Sequence, residues 1–217
     1  MNQTKLCQDT RARSSLPKKE ALRRHHLAQT LRMPLKKKPS ALNADTYALN
    51  WQQEMIVIKD CRYRPKLARP LIRWLLRREC KAYQRLYGTE LVPEWLGWLD
   101  KDAFMLRYVP SIPISKLDTR QLIQANLKLQ KSVEILHERR LFHMDLRSGG
   151  NILVAPGGRV YLVDLTSMVK LKPWAVPFAW CFRRWDEYGL QKWVWRVISF
   201  LAAREEILSI KNRLVGF

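Results

Sequence analysis

Hydrophobic and polar positions group along this chain into short stretches with distinct periods. The β-branched run Met55-Ile-Val-Ile-Lys59 predicts a buried strand ending at a lysine. Ala103-Phe-Met-Leu-Arg-Tyr-Val109 predicts another, broken by Pro110 and Pro113. Between them Pro65 and Pro70 mark a turn. Leu71, Leu75, Leu76, Ala82, Tyr83 and Leu86 then share one face of a helix over 71–87, with Gly88 as its stop and a basic opposite face. Asp118 or Thr119 caps a long helix reaching about Arg139, with Leu122, Leu129, Val133 and Leu136 along one side. Residues 151–154 and 159–163 predict two short strands joined through Pro156-Gly157-Gly158 as a hairpin. A last helix over 186–208 carries Trp193, Val197, Phe200 and Leu201 at helical spacing. Strands come early, helices later, and the hairpin follows the longest helix. This order is an α+β pattern in two lobes, 41–107 and 108–217.

Composition fits that size of fold: 217 residues with 47% apolar types supply one sizeable core or two small lobes sharing a cleft. Charge adds more, because 40 Lys plus Arg against 19 Asp plus Glu leave +21. That excess points to a polyanionic partner, whether nucleic acid, nucleotide phosphates or an acidic membrane surface. It is concentrated early. Residues 1–40 hold eleven basic residues and two acids and, with Pro17, Pro34 and Pro39, read as a mobile basic arm with room for a short helix over 18–31. Residues 59–85 hold ten basic residues and two acids. No run reaches the roughly eighteen uncharged apolar residues that cross a bilayer; the stretch 193–203 is short and broken by Arg196. Lys5, Arg11, Arg13, Lys18 and Lys19 are not followed by an apolar segment, which argues against a secretory signal and for the cytoplasm. Cys7, Cys61, Cys80 and Cys181 are scattered, disfavouring a disulfide framework or a zinc site, and the adjacent His25 and His26 read as tail residues rather than metal ligands.

Candidate chemistry is densest between Leu136 and Val154. A helix end, a polar loop and a buried strand bring His143, Asp145 and Asn151 together on a loop anchored at both ends, and Asp164 arrives at the end of the next strand. An Asp beside an acceptor hydroxyl can orient it and take its proton. An Asn and a second Asp can offer oxygens to a hard divalent cation such as Mg²⁺. Phosphoryl transfer uses such a set. An Asp after an apolar strand also needs a cation or several donors to be buried at all.

These residues resemble the protein-kinase-like superfamily, whose catalytic loop reads H-x-D-x-x-x-x-N and whose metal-binding Asp follows on a short hairpin. The matching residues are His143-Met144-Asp145, Asn151-Ile152-Leu153-Val154 and Val163-Asp164. The resemblance implies a minimal bilobal kinase-like fold using ATP and Mg²⁺. Asp145 would be the catalytic base, Asn151 and Asp164 the metal ligands, His143 the buttress of the loop, and Arg147 a group near the transferred phosphate. Upstream, Lys59 looks like the family's strand lysine for the nucleotide phosphates. Glu79 looks like its helix partner, the one acid between Asp60 and Glu90. Tyr108-Val109-Pro110 takes the place of the hinge that passes adenine, and Asp186 that of an Asp bracing the catalytic loop from below.

The departures are specific. Asp145 and Asn151 stand six positions apart rather than five, so the loop must bulge at Ser148-Gly149-Gly150. No glycine precedes Gly88, so Asn43-Ala-Asp-Thr-Tyr47 would grip phosphate in place of a glycine-rich loop, with its backbone amides and the Thr46 hydroxyl. Asp-Phe-Gly becomes Asp164-Leu165-Thr166. The interval of 22 positions to Asp186 leaves little room for an activation segment, and the 31 residues beyond it leave a truncated helical lobe. This short form looks like the small bacterial branch: lipopolysaccharide core kinases acting on heptose or 3-deoxy-manno-octulosonic acid, and RIO-like protein kinases. The expected acceptor is an anionic glycolipid or a protein, with peripheral contact at an acidic membrane, to which the basic charge and nine Trp are suited. A pseudokinase scaffold and a nucleic-acid-binding protein are the alternatives.

Overall fold

The computed structural model describes residues 22–28, 30–35 and 43–215. Its first half is a five-stranded antiparallel sheet in the order β1-β2-β3-β5-β4, formed by β1 (Met33–Pro34), β2 (Asp45–Trp51), β3 (Glu54–Asp60), β4 (Trp95–Asp100) and β5 (Ala103–Arg107). β2 and β3 pair over seven residues, with Thr46 opposite Lys59. Gln52 and Gln53, both at positive φ, close a two-residue turn whose twist matches the strands it joins. Helix α1 (Arg69–Arg85) crosses from β3 to β4. It starts just before the predicted range because Pro70 is tolerated in a first turn, and it buries Ile72, Leu76, Glu79, Cys80 and Tyr83 along one stripe.

The chain leaves the sheet after Arg107 and reaches α2 (Thr119–Glu138). Asp118 provides the cap, accepting from Gln121 N at 2.7 Å while Gln121 Oε1 accepts from Asp118 N at 2.9 Å, a reciprocal capping box. β6 (Leu141–Phe142) pairs with β9 (Val169–Lys170), and β7 (Ile152–Val154) with β8 (Val160–Leu162), giving the expected hairpin. α3 (Ala179–Val215) then runs to the end of the described chain. It starts seven residues earlier than periodicity suggests, because Ala179 and Phe182 already pack on Phe142 and Leu171. The fold is therefore α+β, an antiparallel sheet of five strands with three helices. No helix among the described residues is long and apolar enough to cross a membrane.

Two expectations need correcting. Of the basic arm 1–40, residues 22–28 and 30–35 are described; Leu22 and Leu27 pack on the sheet and Met33–Pro34 pair with β2, while the rest of the arm lies outside the described residues. A 3₁₀ turn over Arg24–Ala28 stands within the span expected as a helix over 18–31. Leu27, 2% exposed, covers the outer sheet face with Tyr47, Leu49, Ile56 and Ile58, so part of the arm completes a core that the sheet alone leaves open. Its charge is spent as well: Arg24 donates to Asp60 at 2.6 and 3.3 Å and to Asp100 at 2.9 Å. Second, Asp45-Thr46-Tyr47 is strand rather than loop. The backbone of 45–47 is paired with β3, and Leu35 N donates to Thr46 O at 3.1 Å, so these three residues are not an open phosphate loop; Asn43 and Ala44 precede the strand. Thr46 still lines the cleft, and so does Asn43 just before the strand.

Candidate active site

Strand period decides which residues of β3 face inward. Val57 and Lys59 project toward α1 and the second half of the chain, while Ile56, Ile58 and Asp60 face the covered outer side. Lys59 is 7% exposed, and its Nζ pairs with Glu79 Oε1 from α1. It also reaches Asp164 Oδ1 at 3.3 Å. Burial opposes the charged amine. The negative charge of Glu79, with Tyr83 and Asp164 behind it, outweighs that and holds Lys59 protonated well above its ordinary range. The same Glu79 oxygen accepts from Leu165 N at 3.1 Å, so one carboxylate ties β3, α1 and the segment after β8.

The loop between β6 and β7 is fixed from beneath. Asp186 on α3, fully buried, accepts from His143 N at 2.9 Å and Met144 N at 2.8 Å and meets His137 Nε2 at 3.0 Å. Met144 sits at positive φ, and Trp185 Nε1 donates to its carbonyl at 2.8 Å. Adjacent residues 185 and 186 thus hold both backbone groups of a strained residue next to Asp145. His143 Nδ1 accepts from Asp145 N at 3.3 Å, which puts the ring proton on Nε2, donated to Val163 O at 3.2 Å. Burial pushes the His143 pKa down, against the raising charge of Asp186, so the ring is neutral.

Asn151 Nδ2 donates to Asp145 O at 2.9 Å and to Asp145 Oδ2 at 2.8 Å. The extra residue between the two is absorbed by a 3₁₀ turn over Gly149–Asn151, closed by Asn151 N to Ser148 O at 3.0 Å. Neither glycine there uses positive φ. At Gly149 a Cβ would stand 2.6 Å from Arg196 Nη1, the end of a flexible side chain that would have to shift. Asp164 adopts the left-handed conformation (φ 61°, ψ 58°) at the end of the hairpin, and Thr166 Oγ1 donates to its Oδ1 at 3.1 Å.

These elements enclose a cleft of about 690 Å³ whose lining includes Thr46, Lys59, Tyr108, Val109, Asp145, Asn151 and Asp164. The lysine and the two acids that the sequence separates by up to 105 positions converge on it. Glu79 stands behind Lys59, and His143 beneath the loop. Arg147 is placed elsewhere. It is exposed and absent from the cleft lining, its guanidinium lies 5.1 Å from the Trp185 ring centroid, and its carbonyl accepts from Arg196 Nη2 at 2.6 Å. Val57, Leu106 and Leu153 give the cleft apolar walls. Sequence reading singles out none of the three, although each lies at or near strand period from a chemical residue, Val57 two before Lys59 and Leu153 two after Asn151. Thr166 and Trp185 carry no sequence signal beyond adjacency.

The donor set suits a hard cation held jointly with phosphates: the Asp164 carboxylate and the Asn151 side-chain oxygen, whose amide nitrogen is committed to Asp145. Among the described residues no group of three or more His, Cys, Asp or Glu could hold a metal ion. No protein-family model matches the chain, and no curated protein matches it.

Proposed function

We propose that this chain is an ATP- and Mg²⁺-dependent phosphotransferase with a minimal bilobal kinase-like fold, the sheet and α1 forming one lobe and α2, α3 and the hairpin the other. The observation that carries the reading is the convergence of Lys59, Asp145, Asn151 and Asp164 on one cleft, with Lys59 tethered by Glu79. Val57, Leu106 and Leu153 would sandwich a flat base beside the 108–109 segment. Lys59, kept charged, would neutralise nucleotide phosphates. Asn151 and Asp164 would hold Mg²⁺, which supplies further neutralisation of the phosphate oxygens. Asp145 would orient the acceptor hydroxyl and accept its proton, one oxygen being held by Asn151 Nδ2. The neutral ring of His143 keeps a second positive charge from competing for Asp145. The acceptor expected from the resemblance is a lipopolysaccharide-core-type sugar hydroxyl, heptose or Kdo, with a protein Ser/Thr hydroxyl, as in RIO-like kinases, as the alternative. The protein would act in the cytoplasm.

One observation favours a second reading, a nucleotide-binding scaffold without transfer: no glycine precedes Gly88, and the β2 amides are engaged in pairing. Two measurements separate the readings. With ATP and Mg²⁺ at about 100 times Kd, the melting temperature should rise by roughly 5–10 °C, and Asp164→Ala should abolish the rise. Incubation with labelled ATP and a cell-envelope extract should move label into glycolipid or protein, and Asp145→Asn should lower that transfer about 10²- to 10⁴-fold while keeping the thermal shift. A shift without any transfer by the unaltered chain would favour the scaffold; no shift at all would overturn both.

A further inference from the structure

The segment from β9 to the first turns of α3 divides its apolar residues between two directions. Leu171, Ala175, Ala179 and Phe182 turn inward onto Phe142 and Met144. Trp174, Val176, Phe178 and Trp180 turn outward, 73%, 42%, 58% and 65% exposed. With the inward set already closing the core, the outward four form an apolar ridge unused by the fold. Cations flank it: Lys170, Lys172, Arg183 and Arg184 are all exposed. Beside it lies a groove of about 580 Å³ lined by Arg85, Arg139, Arg140, Lys170 and Lys172 with one acid, Glu138. None of these five cations makes an ion pair with an acid among the described residues.

We propose that this face docks on an anionic lipid bilayer, the aromatic ridge entering the headgroup boundary and the basic groove receiving lipid phosphates. Trp and Phe beside Lys and Arg is the composition that settles at a membrane interface, where amphipathic rings and cationic heads both find partners. A second copy of the chain is disfavoured by charge, since a self-facing contact would set these cations against themselves in a molecule of net charge +21. Nucleic acid is less well matched, because Val176 and two prolines among the aromatics suit acyl chains rather than stacked or hydrogen-bonded bases. The ridge stands a few residues before Trp185 in the chain, and Trp185 bonds Met144 O next to Asp145. On the phosphotransferase reading, docking would therefore set the cleft beside a lipid-borne acceptor.

The test is co-sedimentation of the full chain with phosphatidylcholine vesicles and with vesicles containing 30% phosphatidylglycerol, without nucleotide, so that its outcome is independent of catalysis. Expected is binding at least tenfold tighter to the anionic vesicles, with brominated acyl chains quenching Trp emission. Trp174→Ala with Trp180→Ala, and separately Lys170→Glu with Lys172→Glu, should each lower that binding at least tenfold while leaving the melting temperature within about 2 °C. All four side chains are exposed, so the variants fold. Equal binding to neutral vesicles, or anionic binding unchanged in both variants, would overturn the proposal. So would ridge-dependent dimerisation in sedimentation velocity or ridge-dependent RNA binding in place of lipid binding. Asp145→Asn should bind vesicles normally.

Discussion

His143 is neutral in the fold and free to protonate when the chain unfolds, and stability should carry that difference. Its folded pKa lies below the ordinary 6.5 because burial disfavours the imidazolium. The unfolded chain then binds the extra proton over the window between the folded value and 6.5, so this contribution is fully present above about pH 6.5 and is lost as pH falls below it. Thermal melting between pH 7.5 and 5 should show a falling melting temperature, and His143→Gln, which cannot titrate, should show a shallower fall over the same window. An identical slope in the two proteins would place the pH dependence elsewhere. At this scale the sequence is legible for residues whose place follows from their strand. Lys59 lies on β3, where period two sets its direction; Asp164 follows β8 by two residues, and its left-handed backbone sets its direction instead. Arg147 sits on a loop, where a neighbour distant in sequence decides direction, and the ring of Trp185 takes its guanidinium out of the cleft.

Among elements, α3 does more than close the fold. Gly189 lies where it crosses the loop that carries Asp145, and a Cβ there would meet Leu146 Cβ at 2.6 Å and the backbone of 146–147 at 3.1 and 3.2 Å. Backbone cannot step aside as a side-chain end can. Gly189→Ala gains about 1 kcal/mol of helix propensity but overpacks a tight crossing at roughly 1–3 kcal/mol, and relief requires moving the loop that carries Asp145. Gly149→Ala meets only the flexible end of Arg196, and Gly150→Ala meets nothing closer than Ser148 Oγ at 3.9 Å. Transfer rates should therefore fall most in Gly189→Ala, by at least tenfold, less in Gly149→Ala, and within about twofold of normal in Gly150→Ala. A reversed order would show that the crossing does not position the loop. The three helices and the hairpin were legible because amphipathic period and turn residues are local signals. β2 and β4 were not, because Asp45–Trp51 mixes polar and apolar residues and Trp95–Asp100 contains a glycine, so only pairing with β3 and β5 makes them strands.

Across the whole molecule, the outer face of the sheet depends on chain that precedes it. Arg24, from the segment before β1, joins Asp60 on β3 to Asp100 on β4, and Asp60 is fully buried. Tyr47 Oη, at 3.2 Å, and Arg62 N, at 2.9 Å, also donate to Asp60. Arg24→Met would leave a buried carboxylate with two neutral donors, so the loss should be about 2–4 kcal/mol, somewhat under the 3–5 for a fully stripped pair. Arg23→Met, at an exposed neighbour, should change stability by less than about 0.5 kcal/mol. Urea unfolding of the two variants checks this, and equal effects would reassign the clamp. Charge counting saw a basic arm here and missed the clamp, because a sum of charges does not say which cations have an acid waiting beneath a strand.

The shared oxygen of Glu79 has a dynamic consequence. Swinging α1 outward would take Glu79 from the Lys59 amine, leaving it Asp164 alone, and from the Leu165 amide in one movement, at about 1–3 kcal/mol for a donor left buried and unpaired. A jaw hinged that way resists opening, so on the phosphotransferase reading Lys59 would stand ready without a separate ordering step, and a brake would act by keeping substrates away.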